Sequence, residues 1–145
     1  MPNDASKARK VVLHAIFFLS GITTVLIGQV LPILAKHFTL NDLQLSFFFP
    51  AQFAGSLAGT FLTSQYAKRN NYFAAALIGA VLMAAGILMM NAGVFSVCLL
   101  GFTINGIGIG MTLPSINLLI LEMSRERAAS ALSVLNFCWG AGDRV

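Results

Sequence analysis

Between Asn105 and Gly110 this chain reads Asn-Gly-Ile-Gly-Ile-Gly, with glycine at 106, 108 and 110. Glycines this dense can hold a phosphate where a strand turns into a helix, because bare backbone N–H groups then reach the anion. They can equally sit inside a helix and let a neighbouring backbone come close. The two readings lead to different classes of function, and the rest of the chain decides between them.

Other reactive groups are sparse. No Asp or Glu lies between Asp42 and Glu122. Cys98 and Cys138 have no paired spacing and read as packing residues. There is no Ser–His–Asp set, no pair of carboxylates and no metal-ligand spacing, so an enzyme lacks reactive groups and no cofactor is expected. His14 is the only ionisable residue near an apolar interior and reads as an interfacial side chain. What remains is uncharged hydrogen-bonding chemistry. The amides Gln29, Gln52, Asn105 and Asn117 lie in apolar surroundings, as do the hydroxyls Ser20, Thr23 and Thr24. A buried amide is costly unless it is paired, so these should face protein or water.

The elements that carry these groups follow from where charge is missing. Only 10% of the 145 residues are charged, 57% are hydrophobic, and the mean hydropathy is +0.82. Soluble domains carry about 25% charge. Residues 11–35, 43–67 and 70–121 contain no charged side chain. A helix crossing the roughly 30 Å hydrocarbon core needs about 20 apolar residues, so the third run has room for two. Asn91-Ala92-Gly93 is the turn signal that divides it. The predicted spans are 11–35, 43–67, 72–90 and 94–121, joined to a tail 1–10, a charged linker 122–127 and an incomplete fifth helix 128–145. Asn41 or Asp42 can cap the second span. The first run is too long for a signal-peptide core. The fold class is all-α, a polytopic transmembrane bundle, because in lipid helices satisfy every backbone group internally.

Basic residues set the orientation. With the N-terminus in the cytoplasm, Lys7, Arg9, Lys10, Lys68, Arg69, Arg125 and Arg127 lie inside and Lys36 lies outside. The net charge of +4 is then a topology signal that requires no nucleic acid. The expected location is the plasma membrane, multi-pass. Within the spans, Gly101, Asn105, Gly108, Thr112 and Ser115 share one helical face, with Gly106 and Gly110 beside it. Gln52, Gly55, Gly59 and Thr63 form a similar face on the second span. Small residues at such spacing let membrane helices pack closely. Gly55, Gly59, Gly106, Gly108 and Gly110 are therefore the expected packing positions. The glycines of 105–110 have no preceding strand, and this decides against a phosphate loop.

These features resemble the major facilitator superfamily, over its amino-terminal portion. The family's loop GxLADRxGRK aligns with Ser64-Gln65-Tyr66-Ala67-Lys68-Arg69-Asn70-Asn71-Tyr72-Phe73, with Gly59 five residues ahead and Gly79 in the following span. Ala67 and Arg69 match, Lys68 replaces the aspartate, and Ser64 and Asn71 replace the glycines. The family's RxxQGxGxG aligns with 102–110, where Phe102 replaces the arginine and Asn105 keeps an amide. Leu132, Asn136, Trp139 and Gly140 resemble the start of the family's fifth helix. Phe17-Phe18-Leu19, Leu31-Pro32, Phe38-Thr39-Leu40, Gln44, Gly108, Gly110 and Asn117 resemble fucose- and glucose-permease-like sugar porters. Gly28 and Leu113 stand where proton-coupled members carry acids.

The resemblance implies transport of a small polar solute, such as a sugar, by alternating access, with the solute held near the midplane between repeats. Thr24, Gln29, Asn105 and Asn117 are the cavity candidates. The fold would be an incomplete half of a major-facilitator bundle, a truncated fragment whose partners are the lipid bilayer and the remainder of the transporter or a second copy. Two alternatives stay open: a complete four-helix transporter acting as an oligomer, and a non-transporting subunit that binds partners through its GxxxG faces.

Overall fold

A computed structural model describes residues 4–142. Its elements in order are α1 (Asp4–Phe38), α2 (Asp42–Ser46), α3 (Phe48–Ala67), α4 (Tyr72–Met90), α5 (Phe95–Met123), a single 3₁₀ turn (Arg125–Arg127) and α6 (Ala128–Gly142). No strand occurs among the described residues, and the fold is an all-α bundle. Among the described residues, four stretches are long and apolar enough to cross a membrane: Ala8–Phe38, Asp42–Ala67, Tyr72–Met90 and Phe95–Met123. The expected fifth helix is seen as far as Gly142, and residues 143–145 lie outside the described part, as do residues 1–3 of the tail.

Element ends have local causes. α1 begins seven residues before the apolar run, because a helix need not stop where the membrane does and basic side chains extend readily into water. The second span breaks at Phe47, between α2 and α3. Pro50 has no N–H for the carbonyl of Ser46, which removes one helical bond at that point. Asn41 starts α2 with a capping box: its side chain accepts from the Gln44 N–H at 2.8 Å, and Gln44 Oε1 accepts from the Asn41 N–H at 3.1 Å. α3 ends in a Schellman turn. Asn70 adopts φ 51°, the Asn71 N–H donates to the Tyr66 carbonyl, and the Asn70 N–H donates to that of Ala67. Gly93, at φ 69°, turns the chain from α4 into α5.

α5 is the spine, with α3 packed on one side and α4 on the other. The glycines permit both contacts. A Cβ at Gly106 would strike the Gln52 carbonyl, and one at Gly110 the Ser56 carbonyl; at Gly55 and Gly59 it would strike Thr103 and Ile107. On the other side, a Cβ at Gly108 would lie 2.6 Å from the Gly79 carbonyl and one at Gly101 2.8 Å from that of Gly86. Backbones in such contact gain dispersion along their whole length, the main attraction available between helices in lipid. Both glycine faces are thus occupied within the chain, and a partner protein finds no free GxxxG face on α3. α6 packs on α1, where Gly142 sits against the Phe18 carbonyl.

Pro114 poses a further problem inside α5, since it leaves the Gly110 carbonyl without its helical donor. Thr63 of α3 supplies one: its Oγ1 donates to Gly110 O at 3.2 Å, and Met111 O lies 3.3 Å away. The threonine thereby satisfies a carbonyl that lipid cannot.

Candidate functional site

Two apolar clusters close the bundle at its ends. At the basic end, Leu13 and Phe17 of α1 meet Ala76, Ile116, Leu119, Ile120 and Leu135. At the opposite end, Ile27, Leu31 and Leu34 meet Phe48, Met90, Cys98 and Phe102. Phe48 stands edge-on to Phe102 and Phe95, with ring centroids 4.7 and 5.6 Å apart. The polar side chains of α1 and α5 are concentrated between these clusters.

In α5, Asn105 is fully buried. Its Nδ2 donates to the Met83 carbonyl of α4 at 3.3 Å, and its Oδ1 accepts from Gln52 Nε2 of α3, also at 3.3 Å. One amide therefore ties three helices together at mid-span. The sequence reading puts Asn105 on a cavity wall, whereas the structure seats it between helices, because the face it shares with Gly101 and Gly108 is the one α4 covers. Thr112 and Ser115 continue that face and are also fully buried. Their hydroxyls have no hydrogen-bond partner among the described residues.

In α1, Ser20 is buried and donates to the Phe17 carbonyl at 2.7 Å. Thr23 and Thr24 donate to Leu19 and Ser20 at 2.8 and 2.9 Å. Each hydroxyl oxygen keeps lone pairs for another donor. Ser20 and Thr23 face a groove of about 230 Å³ between α1 and α4, which Leu19, Met83, Ala84 and Ile87 also line. Thr24, the residue singled out from sequence, is half-buried outside that groove. A hydroxyl pair three residues apart on α1 was visible in the sequence, but the position of α4 opposite it was not.

Gln29 is exposed, and Gly28 beside it has open space where a side chain would be. It lies seven residues beyond Ile22, on the line of α1 that Gly142 touches, and the described part of α6 does not reach it. Asn117 is half-buried on α5. It stands about 13 Å along the helix from Gly108, toward the basic end, at 1.5 Å per residue. The four candidates therefore do not converge: Asn105 joins helices, Asn117 is near one end, and Thr24 and Gln29 belong to α1.

The remaining sequence candidates lie at the α3–α4 turn. Ser64 is exposed and donates to its own helix at Phe61. Ala67 is the last residue of α3, Lys68 and Arg69 are exposed, and Asn71 stands at the N-cap of α4 without a side-chain capping bond. His14 Nδ1 donates to the Lys10 carbonyl at 2.8 Å, within its own helix. No group of three His, Cys, Asp or Glu that could hold a metal occurs among the described residues.

A family model described as Major Facilitator Superfamily matches residues 4–143. The chain belongs to the Major Facilitator Superfamily. It is therefore a transporter-family protein of the membrane, in a superfamily made up of transporters and not of enzymes. No curated protein and no solved structure is matched. The spine, the Asn105 tie and the α1 hydroxyls are the features of this superfamily chain from which a mechanism must be built.

Proposed function

We propose that this chain supplies the first spans of a transporter that moves a small polar solute by alternating access across the plasma membrane, with its N-terminus in the cytoplasm. A sugar is the favoured solute class, from the resemblance to fucose- and glucose-permease-like porters. The observation that carries the reading is the layering of α1. Its hydroxyls and Gln29 lie at mid-span or beyond, on a helix whose charge-free run 11–35 is otherwise mostly apolar and is packed near both ends.

Gln29 supports it most strongly. An exposed amide in hydrocarbon is unfavourable, so this side chain calls for water, a solute or a further helix. In the proposal, Gln29 offers hydrogen bonds to a solute hydroxyl, Thr24, five residues earlier and about 140° around α1, meets the solute at a different point along its path, and Asn117 lines the path toward the cytoplasm. Asn105 has a different role: with both ends of its amide engaged, it holds α3, α4 and α5 as one rigid unit. Alternating access needs such a unit to move as a body against the rest of the transporter. Those further helices come from the remainder of the polypeptide or from a second copy.

Equilibrium binding of radiolabelled fucose and glucose to the chain in lipid nanodiscs tests this. The reading expects saturable binding of one of them, weakened about tenfold in Gln29→Ala, the equivalent of one good hydrogen bond. Binding unchanged in both Gln29→Ala and Thr24→Ala would remove these residues from the site.

A further inference from the structure

We propose that the α3–α4 turn is a binding site for the phosphate headgroup of an anionic phospholipid, held by Lys68, Arg69 and Tyr66. The inference rests on the chain being a membrane protein and not on the transport reading.

Four independent features meet at this turn. Gln65, Tyr66, Lys68 and Arg69 line a cleft of about 420 Å³. Both cations are exposed, and among the described residues the side-chain hydrogen bond at the pair runs from Lys68 Nζ to Gln65 Oε1, at a long 3.5 Å. No acidic residue occurs between Asp42 and Glu122, so neither α3 nor α4 carries a counter-charge. Glu122 and Glu126 line a different cleft with Lys10 and Arg127. The turn therefore presents two adjacent positive charges with no acid on the helices that hold them.

Its depth suits a headgroup. The turn joins two spans directly, and both tyrosines of the chain, Tyr66 and Tyr72, flank it. Tyrosine concentrates where lipid headgroups meet hydrocarbon. The Tyr66 hydroxyl can donate to a phosphate oxygen while its ring stays among acyl chains. α4 then starts at the turn with no acidic residue in its first turn and no side-chain cap on Asn71. Its unpaired N–H groups and its dipole add to the attraction for an anion. The Schellman geometry fixes the turn, so the cations are presented on a defined backbone.

Native mass spectrometry of the full chain, released from nanodiscs of equal phosphatidylglycerol and phosphatidylcholine, reads the preference directly. Wild type should retain phosphatidylglycerol over phosphatidylcholine. Lys68→Gln and Arg69→Gln should each reduce that preference roughly fivefold, the effect of one basic residue at a charged surface. The exchange Lys68→Arg with Arg69→Lys should preserve it, and Lys36→Gln at the opposite end should leave it unchanged. Asn71→Asp supplies a capping carboxylate where the phosphate would lie, so it should stabilise the start of α4 yet weaken phosphatidylglycerol retention. That variant keeps the test decisive if the glutamine variants fold poorly. Unaltered retention in the glutamine variants, or in Asn71→Asp, would overturn the proposal. Displacement of the lipid by millimolar inorganic phosphate would overturn the lipid assignment in favour of a free-phosphate site.

Discussion

Replacing Gly106 by alanine adds one methyl group where α3 and α5 touch. That carbon would fall on the carbonyl oxygen of Gln52, 2.9 Å from its carbonyl carbon and 3.1 Å from its Cα. Ordinary carbon contacts lie near 3.5–4.0 Å, so the helices must part by roughly 1 Å. Overpacking of this kind costs about 1–3 kcal/mol. Parting also stretches two interhelical bonds already at 3.2 and 3.3 Å, Thr63 to Gly110 and Gln52 to Asn105. Such bonds are worth about 0.6 kcal/mol each within a membrane bundle. The better helix propensity of alanine returns up to about 1 kcal/mol, leaving a net loss of about 2 kcal/mol. Gly28→Ala is the matched control. It makes the same chemical change inside α1, but nothing lies within 4 Å of the added carbon. It should be neutral or stabilising by up to about 1 kcal/mol. Unfolding in mixed micelles by dodecyl sulfate titration, followed by circular dichroism, measures both. If the two variants shifted stability equally and in the same direction, the close-packed spine would be refuted.

Three further outcomes follow from the same contacts. Asn105→Leu strands the Gln52 amide and removes the second donor of the Met83 carbonyl. It should destabilise by about 1–2 kcal/mol, and a double-mutant cycle with Gln52→Leu should return a coupling near 0.6 kcal/mol. Thr63→Val keeps the shape of the side chain but removes the donor to Gly110. The same titration should show a loss of about 1 kcal/mol, and Pro114→Ala, which restores the helical donor, should abolish most of the difference. For topology, in a background without Cys98 and Cys138, Lys36→Cys should react with an impermeant maleimide added outside intact cells and Lys68→Cys should not. The reverse pattern would invert the proposed orientation.

Four membrane-length helices could be read from sequence because charge is excluded from hydrocarbon, so long uncharged runs reveal them. Met90 as the end of α4 followed from the local turn signal Asn91-Ala92-Gly93. The break at Phe47 was not foreseen, although its cause, Pro50, is local. The longer α1 was missed because charge reports where lipid ends and not where a helix ends. Asn105 shows the limit more clearly. Its spacing from Gly101 and Gly108 identifies a face, but only the tertiary arrangement tells whether that face meets α4 or open space. The same holds for Ser20 and Thr23, whose groove exists because Met83 and Ile87 of another helix stand across from them. Glycine spacing was more informative, since a close approach leaves few uses for the space above a missing side chain.

The central claim is that the polar residues of α1 serve a solute path and not merely helix packing. Thiol labelling tests it most directly. Thr24→Cys and Gln29→Cys, made in a background without Cys98 and Cys138 and embedded in membranes, are exposed to a membrane-impermeant maleimide with and without fucose or glucose. Lys36→Cys, outside the hydrocarbon, and Leu57→Cys, on the exposed apolar face of α3, mark the two extremes. The account predicts that Gln29→Cys labels at a rate close to that of Lys36→Cys and that one of the sugars slows it. Labelling of both α1 positions as slow as that of Leu57→Cys, indifferent to either sugar, would contradict it.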